Sequence, residues 1–387
     1  MEKDTQKEHS LTPPEWFWRV ELTSPDFPAE GSNFEDISGW FKNNEGGPYL
    51  RAFEKAFAEY LGAKHALAVS SGSAALYVAL KACGIDSEHH VAVPTYTHIG
   101  SIAPIVLAGA RPLFIDSDEY GNLNPQSLIK EDNYGAIIVV HQLGIPCKME
   151  EIIECTKFGT VKGKFIIEDA SHALGSSYRG RKCGLIGDIG CFSIGGGRTK
   201  TIGTGEGGMI VTNDDTLAEK CKNIRNHGDR NFDVDYFCFN FRMSDLNAAV
   251  GLMQMDKLDY LINWQRERAE YIVHNLPDYL EVPSLPNNIV SCRYLIGCRF
   301  NQEKAQMTRE HFLSHLKPFQ VGPRRYVGGG YSKLISDIRF YSRFAEGKQF
   351  PMSKKLIEES VWIDYHRHPR LQWEIDEFLK ALKEITP

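Results

Sequence analysis

Seven short apolar runs recur between residues 66 and 212, and each closes in a polar or glycine-rich turn. They cover residues 66–69, 91–93, 112–115, 136–140, 165–167, 191–194 and 209–212. Runs this short, and apolar at nearly every position, suit strands covered on both faces. Strands covered in that way, with helices between them, belong to a mostly parallel α/β sheet. The intervening segments carry the helical period. Leu50, Phe53, Phe57, Tyr60 and Leu61 form one stripe over residues 48–61, with Pro48 suited to the first turn and Gly62 to the exit. Residues 74–83 and 149–157 read the same way.

The pattern changes further along. Ser244 opens what reads as one long helix carrying Leu246, Val250, Met253, Leu258, Leu261 and Ile262. Residues 291–300 then read as a strand, and 308–316 and 371–385 as amphipathic helices. The expected organisation is an N-terminal arm over 1–35, a large α/β domain over 36–255 and a smaller α+β domain over 256–387. The 387 residues suffice for two such cores.

Composition excludes several classes. A net charge of −6 gives no basic excess for nucleic acid and fits poorly with an anionic membrane surface. No run approaches ~20 apolar residues, so no transmembrane helix is expected. The opening MEKDTQKEHSLTPPEWFW lacks the apolar stretch of a signal peptide. The nine cysteines are scattered with no C-x-x-C pair, which points to reduced thiols in the cytoplasm rather than to disulfides or zinc. His366 and His368 have no third ligand nearby in sequence, and no metal site is expected.

Four segments carry chemistry. Ser70, Ser71, Gly72 and Ser73 sit between a strand and a helix, where free N–H groups and the helix dipole can cradle a phosphate. The same residues also suit an ordinary serine N-cap. Asp169 closes the apolar run at 165–167, at the carboxyl end of a strand where open α/β sheets bind ligands. It could pair with a protonated ring nitrogen or cap the next turn. Lys200 follows Gly195, Gly196, Gly197, Arg198 and Thr199. Desolvated beside a cation it would be a nucleophile toward carbonyls, and otherwise a solvated loop lysine. Residues 203–208 match G-x-G-x-x-G formally, but a strand follows them rather than a helix, so they do not read as a dinucleotide site. They read as a sharp turn bringing backbone close to a cofactor.

These segments stand in the order of the DegT/DnrJ/EryC1/StrS family of pyridoxal-phosphate (PLP) aminotransferases, which the chain resembles. The stretches that carry the resemblance are GGPYLRAFEKAFAEYLG, SSGSAALYVAL, VPTYTHIGSIAPIVLAGARPLFID, IEDASHALGSSYRG, CFSIGGGRTKTIGTGEGGMIVTND and NFRMSDLNAAVGLMQMDKLD. The resemblance implies a fold-type-I transferase that moves an amino group, with L-glutamate as donor, to a keto-sugar on a nucleotide or to a keto-cyclitol. It implies Lys200 as the cofactor-bearing lysine and Asp169 as partner of the ring nitrogen. It places His172 near the phenolic oxygen and Tyr96 stacked on the ring. Gly72, Ser73 and Ser193 would meet the phosphate. Asn240 would reach the cofactor of a neighbouring subunit, so a homodimer with shared sites is implied.

In one respect the sequence departs from the family. The lysine there usually stands five residues after the serine, and five after Ser193 is Arg198. Counting back from Gly205-Glu206-Gly207-Gly208 selects Lys200, and an arginine stays protonated. Two readings stand beside the aminotransferase: a sugar dehydratase, which in the family carries histidine at the lysine position, and a non-catalytic protein on the same fold. Arg324, Arg325, Tyr326 and the 328–330 turn are candidates for a lid over an anionic substrate, or for a solvated loop.

Overall fold

A computed structural model describes residues 47–157, 164–195, 200–228, 237–316, 327–345, 347–365 and 372–385. The expected arm over 1–35, Arg198, Arg324, Arg325, Tyr326, His366 and His368 lie outside them.

Each of the seven apolar runs is a strand of one sheet. In chain order these are β1 (His65–Val69), β2 (His90–Pro94), β3 (Arg111–Ile115), β4 (Ala136–Val140), β5 (Phe165–Asp169), β6 (Ile189–Ser193) and β7 (Gly208–Thr212), and they lie side by side as β1-β7-β6-β5-β4-β2-β3. From β6 to β3 every pairing is parallel, while β7 runs antiparallel to both β6 and β1. Every residue of β4 is buried, as a strand covered on both faces requires.

Helix α1 (Pro48–Leu61) is as the stripe predicts, with Leu50, Phe53, Phe57 and Leu61 buried and Gly62 closing it at φ 80°. Helix α2 (Gly72–Ala82) follows β1, and α3 (Ile99–Leu107) follows β2. Helix α4 (Met149–Lys157) precedes β5, and α5 (Asp215–Arg225) follows β7.

The long helix expected from Ser244 is two helices, α6 (Asp245–Met255) and α7 (Leu258–Asn275), broken at Asp256 and Lys257. Ser244 caps the first by accepting from Asn247 N–H at 3.2 Å. Leu246 is not part of a buried stripe: it is 59% exposed, because α6 meets α1 through small residues. A Cβ on Gly251 would fall 2.6 Å from the Phe53 ring, so only glycine permits that approach.

The later elements form a four-stranded antiparallel sheet from β8 (Leu280–Glu281), β9 (Ile296–Phe300), β10 (Val327–Gly329) and β11 (Ser360–Ile363), in the order β8-β9-β11-β10. Helices α8 (Arg309–His315), α9 (Pro351–Glu359) and α10 (Gln372–Glu384) accompany it. The strand expected over 291–300 is confined to 296–300. The residues before it turn at Arg293, φ 58°, which sends Tyr294 back toward the first sheet. Leu334, Ile335, Tyr341, Phe350 and Leu356 pack into the core of the seven-stranded sheet, so the later part of the chain clasps the earlier one.

Candidate active site

The carboxyl ends of β1, β2, β4, β5 and β6 converge on a cavity of about 360 Å³. Gly72, Ser73, Asp169, His172, Ser193 and Lys200, all expected from sequence, line it together.

One wall of the cavity is the start of α2. Ser71 caps the helix, accepting from Ala74 N–H at 3.1 Å. A Cβ at Gly72 would fall 2.7 Å from Ser193 Cβ, so the glycine lets the helix start lie against the end of β6. The serine cluster is a capped helix start, and Ser71, Gly72 and Ser73 border the cavity. The glycine turn at 203–208 leads into β7, and a Cβ at Gly208 would fall 2.3 Å from Ser71 O. That close approach is to the helix start, and Glu206 of the same turn borders the cavity.

Asp169 is 4% exposed. Its Oδ2 accepts from Ser101 Oγ at 2.7 Å and its Oδ1 from Ser171 N–H at 3.1 Å. Ser101 in turn lies 3.1 Å from Thr97 Oγ1. Lys200 Nζ donates to Ser171 O at 2.7 Å and stands 5.1 Å from the centre of the Tyr294 ring. Burial pushes its pKa down to about 8, against the opposing pull of Asp169.

His172 stacks on Tyr294 with ring centres 4.0 Å apart and planes 10° from parallel. Burial, then the neighbouring Lys200 and His98, hold its pKa well below the usual imidazole range, so it is neutral. Its Nδ1 is buried with no hydrogen-bond partner among the described residues.

Two expected residues stand elsewhere. Tyr96 does not line the cavity. The chain bends at 95–97, and the Tyr96 hydroxyl donates to Ser360 Oγ of β11 at 3.0 Å. Its ring meets Tyr331 and Trp362 edge-on at 5.1 and 6.3 Å. His98 borders the cavity instead, with Nδ1 accepting from Gly100 N–H at 3.0 Å to cap α3. Asn240 is exposed, bridges Asn226 and accepts from Arg242 N–H, away from the cavity of its own chain. Sequence reasoning also missed Gln142, Tyr294 and Tyr331, which border the cavity. No local pattern marks them, and the two tyrosines come from beyond residue 256.

Among the described residues His141, Glu168 and Cys183 come within 4.8 Å of one another in ligand atoms. Hydrogen bonds already occupy this cluster. Cys147 N–H donates to His141 Nδ1, which puts the imidazole proton on Nε2, 2.8 Å from Glu168 Oε2. Glu168 also accepts from the N–H groups of Gly184, Ile186 and Gly187 at 2.7, 2.5 and 2.6 Å. No helix among the described residues is long and apolar enough to cross a membrane.

A strand-end carboxylate, a half-buried lysine of lowered pKa and a helix N-terminus around one cavity define an enzyme of the fold-type-I transferase class. The chain matches the model of the DegT/DnrJ/EryC1/StrS aminotransferase family over residues 34–376, and it belongs to that family. It is 36% identical over 287 residues to the GDP-perosamine synthase of Escherichia coli O157:H7, which covers 72% of this chain and 77% of that protein. It is 36% identical over 316 residues to a UDP-4-amino-4,6-dideoxy-N-acetyl-beta-L-altrosamine transaminase of Campylobacter jejuni, covering 76% and 81%. A crystal structure of a family aminotransferase from Brucella abortus superposes with a TM-score of 0.77 at 26% identity, over 88% of this chain and 91% of that one. The protein is an aminotransferase.

Proposed function

We propose that the protein moves an amino group from L-glutamate to a keto-sugar carried on a nucleotide, with PLP held in the cavity by Lys200. The names of the curated relatives support a nucleotide-linked sugar rather than a keto-cyclitol. The observation that carries the reading is Lys200, its amine within the cavity and its pKa near 8, beside Asp169 and the unpartnered His172 Nδ1.

The donor set fits the cofactor. The helix start at Gly72 and Ser73, with Ser193, would take the phosphate. Asp169 would hold the ring nitrogen proton and His172 the phenolic oxygen. His98, rather than Tyr96, would face the ring. When bound, PLP supplies an electron-withdrawing ring conjugated to the substrate amine. Ser101 fixes the Asp169 carboxylate in place. Lys200 Nζ, with both protonation states accessible near neutral pH, takes and returns a proton as general base and acid. A histidine at that position could not form the covalent link, so the lysine in the cavity favours amino transfer over dehydration.

The enzyme acts as a cytoplasmic homodimer in this reading, with Asn240 reaching the partner's site. Support comes from an adjacent groove with apolar lining, where Leu107 and Phe340 are 68% and 50% exposed. Exposed apolar side chains beside such a groove are compatible with a subunit contact there. We also place the boundary between large and small domains near residue 256.

The test is the absorption spectrum of wild type and Lys200→Ala with added PLP, before and after L-glutamate. A lysine-dependent visible band that L-glutamate bleaches is the expected result. A band equally present in Lys200→Ala overturns the assignment.

A further inference from the structure

Two side chains around the cavity, His172 and Gln142, carry buried polar atoms with no partner among the described residues, and the reading above gives a use to His172 alone. Gln142 follows β4, and its backbone is held firmly: its N–H donates to Asn122 Oδ1 at 2.8 Å, while Asn122 Nδ2 donates to Ile145 O and Pro146 O at 3.1 and 3.2 Å. Leu143 beside it sits at a left-handed φ of 54°. The Gln142 side chain is 0% exposed and yet borders the cavity. Among the described residues neither Oε1 nor Nε2 has a hydrogen-bond partner. The Tyr331 phenol is raised by burial and eased by the nearby Gln142 amide, but the two groups stop short of hydrogen-bonding geometry.

A buried amide with both ends unused is costly and rare. An apolar side chain of the same size would fill the position without that cost, so the amide has a use when the cavity is filled. The chemistry narrows the ligand. An amide is neutral and offers a donor and an acceptor together. Carboxylate and phosphate groups call for cationic or multiple N–H partners, and these lie elsewhere in the cavity, at Lys200 and the α2 start. A hydroxyl, itself donor and acceptor, matches an amide. Gln142 faces the wall supplied by the later part of the chain, where Tyr331 packs on Trp362 at 4.8 Å.

We propose that Gln142 is a specificity-determining residue whose amide hydrogen-bonds ring hydroxyls of the acceptor sugar, with the Tyr331 hydroxyl serving the same ligand. This rests on the acceptor being a keto-sugar, as proposed above. Gln142 takes no part in the reaction with the amino acid.

The two half-reactions separate the claims. Holoenzyme is mixed with L-glutamate, and separately with GDP-perosamine or the UDP-linked 4-amino-4,6-dideoxy-N-acetyl-altrosamine plus 2-oxoglutarate, which runs the sugar half in reverse. For Gln142→Leu, kcat/KM toward the accepted amino-sugar nucleotide falls about 10-fold, mostly in KM, because the sugar hydroxyl loses its partner. The L-glutamate half stays within about 2-fold, and the melting temperature rises by about 1–3 °C as the unpaired amide is removed. Gln142→Met gives the same pattern should the leucine variant fold poorly. An unchanged sugar half, or equal losses in both halves, overturns the proposal. Wild type active with L-glutamate but inert to both nucleotide sugars sinks it together with the acceptor reading. Wild type inert to L-glutamate as well sinks the function itself.

Discussion

Glu168 and Asp169 are consecutive carboxylates at the end of β5, and the two sides of the sheet treat them oppositely. Glu168 points into the wall behind the strand, where His141 and three backbone N–H groups saturate it. Burial alone would raise its pKa, yet these partners hold it below the usual carboxylate range. Asp169 points into the cavity, where Ser101 and one N–H steady it from the side. Alternation along a strand is enough to bury one acid among its partners and turn the next toward the cavity. A carboxylate with all its lone pairs engaged pins the 184–187 loop. One with capacity to spare can receive a ligand.

The comparison breaks most sharply at Glu168. Glu168→Ala leaves the His141 N–H and three backbone donors buried without an acceptor, and a loss of about 3–5 kcal/mol is expected in urea unfolding. Asp169→Ala should keep the unfolding midpoint near that of wild type and lower transamination by about 10²–10³-fold, the scale of losing one preorganised electrostatic partner. If Asp169→Ala unfolds the protein while Glu168→Ala spares it, the division of labour is wrong. Ser101→Ala sharpens the contrast, because of the two acids it touches only Asp169. Activity should fall by about 10-fold with little change in stability, as for one hydrogen bond to a charged group.

The smallest effect is in pH. The Glu168 contribution is complete above its unfolded pKa of about 4.3 and is lost as pH falls through the lower folded value. Lys200 acts at the other end. Its folded pKa of about 8 lies below the unfolded value of about 10.4, so between these limits the unfolded chain holds more protons and stability of the cofactor-free protein rises with pH. Lys200→Met should flatten the alkaline slope and leave the acidic limb unchanged. A thermal-melt series from pH 3 to 10.5 reads both limbs.

Much of this was legible because it is local. The seven apolar runs are the seven strands, α1 has the bounds its stripe predicts, and the strand after residue 208 excludes a dinucleotide motif there. The break between α6 and α7 was not legible, since Leu258, Leu261 and Ile262 continue the helical spacing across it. The choice between Tyr96 and His98 was not legible either. Both follow β2, and only the bend at 95–97 and the presence of Ser360 and Trp362 decide which one turns away from the cavity.

The sequence by itself determined the sheet and a helix start just after the Ser70–Ser73 cluster, because period and capping act between near neighbours in the chain, while Lys200 was singled out through the family resemblance. Tertiary structure alone decided that Tyr294 and Tyr331 close the cavity, that Tyr96 joins the two sheets, and that Gln142 remains buried without a partner. Those outcomes depend on which segments far apart in sequence come to share a wall, and no local periodicity encodes that meeting.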